Sequence, residues 1–145
     1  MPLRGEYEPS PSDWISGHVA AYEAGHDEEA YKLQGLPVVI LTSVGSKSGK
    51  LRKTPLMRVE HQGVYAVVAS QGGLPKHPAW YFNLEAEPLV ELRDREVVGD
   101  YIAHEATGDE RELWWERAVA AFPPYEEYRQ KAGRTIPVFV LTPAS

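Results

Sequence analysis

A short basic stretch interrupts an acidic sequence: residues 44–55 read "VGSKSGKLRKTP", whereas the formal net charge of the whole chain is −6. Four cations fall within seven residues, and they are Lys47, Lys50, Arg52 and Lys53. Gly45 and Gly49 allow the backbone to approach a ligand closely, and ammonium and guanidinium groups form charge-assisted hydrogen bonds with phosphate oxygens. The stretch therefore predicts a cradle for an anion such as a phosphate.

The basic stretch differs from the phosphate-binding loop of nucleoside triphosphatases. That motif has four residues between its glycines, followed by lysine, a hydroxyl residue and a helix. Here three residues separate Gly45 from Gly49, Lys50 is followed by Leu51, and a strand is predicted next. Two interpretations stay open, an anion cradle or a solvated loop whose lysines protect a sheet edge. The acidity of the remaining chain favours the cradle and argues against nucleic acid, which requires a wider basic face.

A second candidate site combines "ASQGG" with "HPAWYFNL". Ser70 ends a predicted strand, Gln71 begins a glycine loop, and Trp80 and Asn83 lie one helical turn apart on a short helix. A flat indole beside an amide suits a planar heteroaromatic ring. Taken alone, the pattern more often indicates a glycine turn followed by a helix whose tryptophan is a core residue.

A third group is aromatic and lies in "FPPYEEYRQKAGRTIP". Phe122, Tyr125 and Tyr128 follow each other at intervals of three residues around a proline break. Such spacing is typical of core packing, but two phenol hydroxyls on one short helix could also cover a pocket.

Cysteine and histidine usage bounds the other chemistry. The sequence has no cysteine, which excludes a thiolate nucleophile and a disulfide and fits a reducing compartment such as the cytoplasm. Its five histidines show no i, i+4 pairing, so no metal site is predicted. No apolar run typical of a signal peptide or a membrane span is found.

Short β-branched segments must position these residues. About six strands are predicted, and in chain order they are "VVILTSV", "PLMRVE", "VYAVVAS", "PLVELRD", "EVVGDYIAHEA" and "IPVFVLTP". Helices are expected after Ser10 or Ser12, in a short second segment ending at Gly35, in "KHPAWYFNLEAEP", in "TGDERELWWERAVAAF" with a capping box at Thr107, and in "YEEYRQKA". Mostly adjacent antiparallel strands favour a mainly β fold of the α+β class, a closed or nearly closed barrel with peripheral helices. One domain, residues 1–145, is expected, with an N-terminal helical segment over residues 1–36.

The three motifs in this order resemble the deazaflavin-dependent nitroreductase family, F420H2-dependent quinone and nitro reductases related to the FMN-binding, flavin-reductase-like split β-barrels. The resemblance extends from about Pro37 to Pro143 and implies a deazaflavin-binding split barrel over residues 37–143. It implies coenzyme F420 in its reduced form, F420H2, as cofactor. It also implies hydride transfer to a small electrophilic acceptor, namely a quinone, a nitro-compound or an enone.

The resemblance implies a role for individual residues as well. The phosphate of the phospholactyl-polyglutamate tail would be held by Lys47, Ser48 and Arg52, with Pro55 shaping the loop. The deazaflavin ring would be framed by Val68, Ser70, Gln71, Gly72, Trp80 and Asn83. The acceptor would be faced by Ser70, Tyr125 and Tyr128.

The sequence departs from the family pattern at four places. Ser46 stands where arginine is common and Gln71 where lysine is frequent, which alters the grip on the tail unless Lys50 and Lys53 compensate. On the acceptor side, tyrosines of the family are replaced by the residues Phe122 and Met57. Whether bicyclic nitro-compounds are reduced stays open for this reason.

Two alternative functions remain at this point, an FMN-binding split-barrel flavoprotein and a non-enzymatic F420-binding carrier. The expected partner is a small-molecule acceptor rather than nucleic acid. The N-terminal stretch "AGHDEEAYKLQG" is more acidic than a membrane-seeking helix, so peripheral membrane contact is not favoured. The sequence leaves the oligomeric state open.

Overall fold

One curled antiparallel sheet of eight strands forms the centre of the computed structural model, which describes residues 3, 5–25, 28–33, 35–73 and 76–144. In chain order the strands are β1 (Lys32–Leu33), β2 (Leu36–Val44), β3 (Leu51–Met57), β4 (Val59–His61), β5 (Val64–Val68), β6 (Leu89–Asp94), β7 (Val97–Glu105) and β8 (Val138–Pro143). Their order in the sheet is β1-β2-β6-β7-β8-β5-β4, and β3 pairs with β2 off this path. Within the described residues β3 has no ladder to β4 or β5, so the barrel is open on that side.

In the described residues four α-helices surround the sheet: α1 (Asp13–Ala24), α2 (Ala79–Ala86), α3 (Gly108–Ala121) and α4 (Tyr125–Ala132). Ser12 caps α1, since its hydroxyl accepts a hydrogen bond from the Ile15 amide at 3.3 Å. Two short 3-10 turns, Glu28–Tyr31 and Gln71–Gly73, join neighbouring elements. No helix in the described part of the chain is long and apolar enough to cross a membrane.

The central strand β2 is buried on both faces, which explains its continuous apolar run. Because successive side chains alternate, Val38 and Ile40 join the core packed by α1, α3 and α4, whereas Val39 and Leu41 join the core under α2. The sheet thereby holds helices against both of its faces.

The strand count and one strand boundary differ from the sequence prediction. The predicted strand "PLMRVE" is wrong as a single unit: β3 ends at Met57 and β4 starts at Val59. β3 instead extends back to Leu51, so the second half of the basic stretch lies on a strand rather than in a loop. Lysine and arginine have low strand propensity, and β3 forms because it pairs with β2 along its whole length.

Two helix predictions also need correction. The short helix expected to end at Gly35 is the 3-10 turn Glu28–Tyr31, and β1 follows it immediately. Thr107 precedes α3, but its side chain makes no capping hydrogen bond, so the predicted capping box is wrong. The other helices and the β6–β7 hairpin, which turns at Arg95 with φ 59°, are confirmed.

Candidate functional site

A cleft of about 930 Å³ brings the three sequence motifs together. It is bounded by the loop after β2, strand β3, the end of β5 and helices α2 and α4. Of the residues that the sequence singled out, those lining it are Lys47, Ser48, Arg52, Pro55, Val68, Ser70, Gln71, Trp80, Asn83, Tyr125 and Tyr128. Gly72 belongs to the adjoining turn Gln71–Gly73.

The loop after β2 is folded tightly on itself at one end of the cleft. The Gly45 amide donates to the Lys50 carbonyl at 2.7 Å, and the Gly49 amide donates to the Gly45 carbonyl at 2.9 Å. A Cβ atom on Gly45 would lie 2.9 Å from the Ser48 hydroxyl oxygen and 3.1 Å from the Lys50 carbonyl oxygen, so a side chain here would require the loop to shift. The sequence suggested that Gly45 lets a ligand approach the backbone. In the structure, Gly45 is needed for the tight fold of the loop itself.

N-terminal carboxylates pair with three of the four cations in the basic stretch. These ion pairs, with their N–O distances, are Arg52–Glu8 (2.7 Å), Lys53–Glu23 (2.6 Å) and Lys50–Glu6 (3.8 Å). Among the described residues no carboxylate lies within 4.0 Å of the Lys47 ammonium. The cradle is therefore partly neutralised within the chain, and Lys47 carries its least compensated charge.

Residues 6–8 reach the basic stretch by lying along β3. Tyr7 forms a parallel bridge with Leu51, the Glu8 amide donates to the Leu51 carbonyl at 2.9 Å, and the Leu51 amide donates to the Glu6 carbonyl at 2.8 Å. This pairing places Glu8 among the residues that line the cleft. Sequence reasoning missed this contribution because no strand signal surrounds Tyr7.

Helix α2 holds the start of the basic loop through Asn83. The buried Asn83 amide donates to the Ser43 hydroxyl at 3.2 Å and accepts from the Ser46 backbone amide at 2.9 Å. Trp80, one turn earlier, is 5% exposed, packs edge-on against Phe139 and also lines the cleft. Asn83 thus links α2 to the loop, while Trp80 belongs to both the core and the cleft wall.

Arg134 ties the end of β5 to the residues that lead into α2. Its Nη2 atom donates to three carbonyl oxygens, those of Ala69 (3.0 Å), Ser70 (3.3 Å) and Lys76 (3.0 Å). Its Nη1 atom lies 3.1 Å from Nδ1 of His77. When the Gln71 side-chain amide is oriented with its nitrogen toward nearby acceptors, that nitrogen donates to the carbonyls of Lys76 (3.0 Å) and His77 (3.3 Å). Sequence reasoning missed Arg134 and His77, whose partners are distant in the chain.

Three hydroxyl groups line the other end of the cleft. Ser70 and Tyr125 are nearly buried, with 6% and 5% exposure, and Tyr128 lies one turn further along α4. In the described part of the chain none of these hydroxyls has a protein hydrogen-bond partner, so each can bond to a molecule in the cleft. Burial of the phenol raises the pKa of Tyr125, and the neighbouring Tyr128 raises it further. The Tyr125 hydroxyl therefore stays protonated and able to donate a hydrogen bond.

Phe122 completes an aromatic wall with these tyrosines. Its ring lies 5.0 Å from that of Tyr125, and the rings of Tyr125 and Tyr128 are 6.2 Å apart. Ile15 of α1 and Leu33 of β1 extend the apolar lining. Their contribution was not visible in the sequence, because it depends on how the N-terminal elements pack.

The cleft as a whole has a basic end built from a tight loop and an apolar, hydroxyl-bearing end. A molecule with an anionic tail and a planar ring fits this arrangement, because tail and ring would each meet side chains of suitable chemistry. In the described residues no cluster of histidine, aspartate or glutamate side chains is arranged to hold a metal ion.

Comparison with known proteins agrees with this chemistry. The sequence model of the F420H(2)-dependent quinone reductase family matches residues 14–143. An F420H(2)-dependent quinone reductase of Mycobacterium tuberculosis is 31% identical over 144 residues, covering 90% of this chain and 97% of that protein.

Solved structures are similar to this chain as well. A structure described as an F420-H2 dependent reductase, FDR-A, is 55% identical, with a TM-score of 0.70 over 73% of this chain and 94% of that one. A structure described as a domain-swapped dimer is 47% identical, with a TM-score of 0.72 over 92% of this chain and 100% of that one. These likenesses confirm the split β-barrel expected from the sequence. The chain therefore belongs to the F420H(2)-dependent quinone reductase family, whose members are oxidoreductases that use reduced coenzyme F420.

Proposed function

We propose that this protein binds F420H2 with the coenzyme tail in the basic loop and its ring beneath α4, and that it reduces a quinone held against Ser70, Tyr125 and Tyr128. The observation that carries the proposal is that one cleft contains both ends: a cation cradle and hydroxyls without protein partners among the described residues. Family membership supplies the cofactor, and the cleft supplies a place for each of its parts.

At the basic end, Lys47, Ser48 and Arg52 hold the tail phosphate. Each charge-assisted hydrogen bond to a phosphate oxygen contributes roughly 1.5–3 kcal/mol. Arg52 can offer a bidentate pair of donors, but its guanidinium is engaged by Glu8, so binding requires an exchange of one anion for another. Lys47 needs no such exchange and provides the first contact.

At the other end of the cleft, apolar side chains and the turn Gln71–Gly73 after β5 frame the deazaflavin ring. Pro55 and Val68 supply apolar contact, and Trp80 supplies an indole face. Gln71 and Gly72 supply the turn that follows β5. Pro55 is tolerated in β3 because this strand lies at an open side of the sheet. Asn83 acts by holding the basic loop at the correct distance from the ring surface.

When bound, the reduced deazaflavin supplies a hydride, which must be delivered to an electrophilic acceptor. The chain must orient both molecules and exclude water. The apolar side chains of Ile15, Leu33 and Phe122, which line the cleft, exclude water. Tyr125 and Tyr128 donate hydrogen bonds to the acceptor oxygen, where negative charge develops. Because its pKa is raised, the Tyr125 phenol remains a donor up to pH values at which an ordinary tyrosine ionises, about 10.

A titration of the purified protein with F420 and with FMN tests the cofactor assignment. We expect micromolar or tighter binding of F420 and at least tenfold weaker binding of FMN. A panel of quinones, nitro-compounds and enones is then added to the protein with F420H2, and oxidation is followed by absorbance. Rapid oxidation of F420H2 by a quinone supports the proposal. Tight binding of FMN would mean that FMN, and not F420, is the cofactor. Binding of F420 without turnover of any acceptor would indicate a non-enzymatic carrier.

A further inference from the structure

His77 is one of the residues that line the cleft. It lies in the segment that leads into α2, where its ring stacks on Tyr81 with centroids 4.0 Å apart and an interplanar angle of 18°. The ring of Phe82 approaches edge-on at 5.9 Å. Aromatic packing on two sides therefore fixes the plane of the imidazole.

The contact with Arg134 determines which imidazole nitrogen carries the proton. A guanidinium has only donors, so His77 Nδ1, 3.1 Å from Nη1, must accept through its lone pair. The ring is then neutral and its single proton is on Nε2. Desolvation and the neighbouring Arg134 charge both lower the pKa of His77, with Glu85 acting in the opposite direction, which agrees with a neutral ring.

Arg134 lies against the backbone between β5 and α2. It also donates to the carbonyls of Ala69, Ser70 and Lys76. The two ring nitrogens of an imidazole point in different directions, so the nitrogen that does not face Arg134 is directed away from it. Since His77 lines the cleft and Arg134 is not among the lining residues, Nε2 is the nitrogen available to a molecule bound there.

We propose that His77 donates a hydrogen bond from Nε2 to a carbonyl oxygen of the bound deazaflavin, and that Arg134 is the positioning residue that fixes this tautomer. The inference rests on the proposed function, because it requires the coenzyme ring to occupy the cleft. A deazaflavin carries carbonyl oxygens on its pyrimidine ring, and these accept hydrogen bonds without changing charge. A neutral imidazole provides such a bond without placing a second cation beside Arg134.

The tautomer can be measured without the coenzyme. Nitrogen-15 NMR of the imidazole distinguishes a protonated from an unprotonated ring nitrogen, and the His77→Gln variant identifies the signal by its loss. We expect protonated Nε2 and unprotonated Nδ1 in the wild type, and a mixture of tautomers in Arg134→Met. Arg111→Met is the matched control, since Arg111 also donates to a backbone carbonyl, that of Ile136 at 2.7 Å. Protonated Nδ1 in the wild type, or an unchanged signal in Arg134→Met, would overturn the assignment.

Two amide substitutions test the contact with the coenzyme. Glutamine places its amide nitrogen near the position of Nε2, whereas asparagine places it near that of Nδ1. We expect His77→Gln to bind F420 within threefold of the wild type and His77→Asn to bind roughly tenfold more weakly, the loss of about one hydrogen bond. Thermal unfolding of both variants, corrected to the folded fraction, separates this effect from misfolding.

The outcomes separate this inference from the proposed function. If the wild type binds F420 and both His77 variants bind it equally well, the donor role is wrong and the proposed function stands. If the wild type does not bind F420, the proposed function fails and the donor role fails with it, whereas the tautomer measurement still decides the part played by Arg134.

Discussion

At the residue scale, a carboxylate of the chain itself is bound at the basic end of the cleft. Glu8 occupies Arg52 at 2.7 Å, the same guanidinium that the sequence motif suggested for a phosphate. Both side chains are partly exposed, and such ion pairs stabilise proteins by only about 0.2–1 kcal/mol. We therefore expect a ligand with a phosphate to displace Glu8 at a small cost in free energy, equal to that of the ion pair.

Glu8→Gln should for this reason strengthen F420 binding. Removing the carboxylate frees Arg52, and the ion-pair energy of about 0.2–1 kcal/mol corresponds to a gain of roughly 1.5-fold to fivefold in affinity. Isothermal titration at 0.15 M salt measures it. Glu96→Gln, an equal change of charge at the exposed β6–β7 turn, is the control. Weaker binding by Glu8→Gln would show that Glu8 assists the coenzyme rather than competing with it.

The double replacement Tyr125→Phe with Tyr128→Phe tests the donor role of the hydroxyls. Both rings and their packing are retained, so coenzyme affinity should change little while kcat for quinone reduction falls at least tenfold, in line with the loss of oxyanion donors. Tyr101→Phe is the control, because Tyr101 lies on β7 away from the cleft lining. An unchanged rate per folded molecule would remove both tyrosines from the site.

At the element scale, α4 and the turn after β5 approach each other closely at Gly73. Gly73 has φ +85°, and a Cβ atom there would lie 3.2 Å from the Tyr128 Cα atom. The 3-10 turn after β5 and the helix that carries the tyrosines therefore contact each other through backbone. A side chain at this position would require α4 or the turn to shift by a few tenths of an ångström.

Gly73→Ala should consequently raise KM for the quinone several-fold more than it weakens coenzyme binding. Gly63→Ala provides a matched control, since Gly63 has a similar φ of +83° but a Cβ atom added there would meet no other atom within 4 Å. Both variants lose roughly 1–2 kcal/mol because alanine must adopt a left-handed conformation, so differential scanning calorimetry should show similar losses from that source. Equal KM values in the two variants would mean that the approach of α4 does not position the acceptor.

The sequence predicts strands correctly where strand propensity and burial agree. The apolar runs in β2, β5 and β8 are rich in valine and form buried strands. β3 was misplaced because its residues carry no such signal and its strand conformation comes from pairing with β2. The Glu6–Glu8 segment and Arg134 were missed for a related reason, as their contacts are tertiary and span long stretches of chain.

At the scale of the whole molecule, the fold separates the basic end of the cleft from the end that carries the hydroxyls of Ser70, Tyr125 and Tyr128. The open side of the barrel lies at β3, which carries Arg52, Lys53 and Pro55, while α4 covers the opposite end of the cleft. The three motifs could be recognised from the sequence because each is local. Their convergence in one cleft depends on sheet order, since β2, β5 and the segment before β8 are far apart in the chain.

The most direct test of this account combines a change in the ligand with a change in the protein. Affinity is measured for F420 and for the same deazaflavin ring lacking the phosphate and its tail, in the wild type and in Lys47→Ala with Arg52→Ala. We expect the wild type to prefer F420 by at least tenfold, and the double variant to bind both ligands within about threefold of each other, because the charge-assisted bonds to phosphate are gone. If the double variant keeps the full preference for F420, the basic loop does not hold the tail and the assignment of the cleft is wrong.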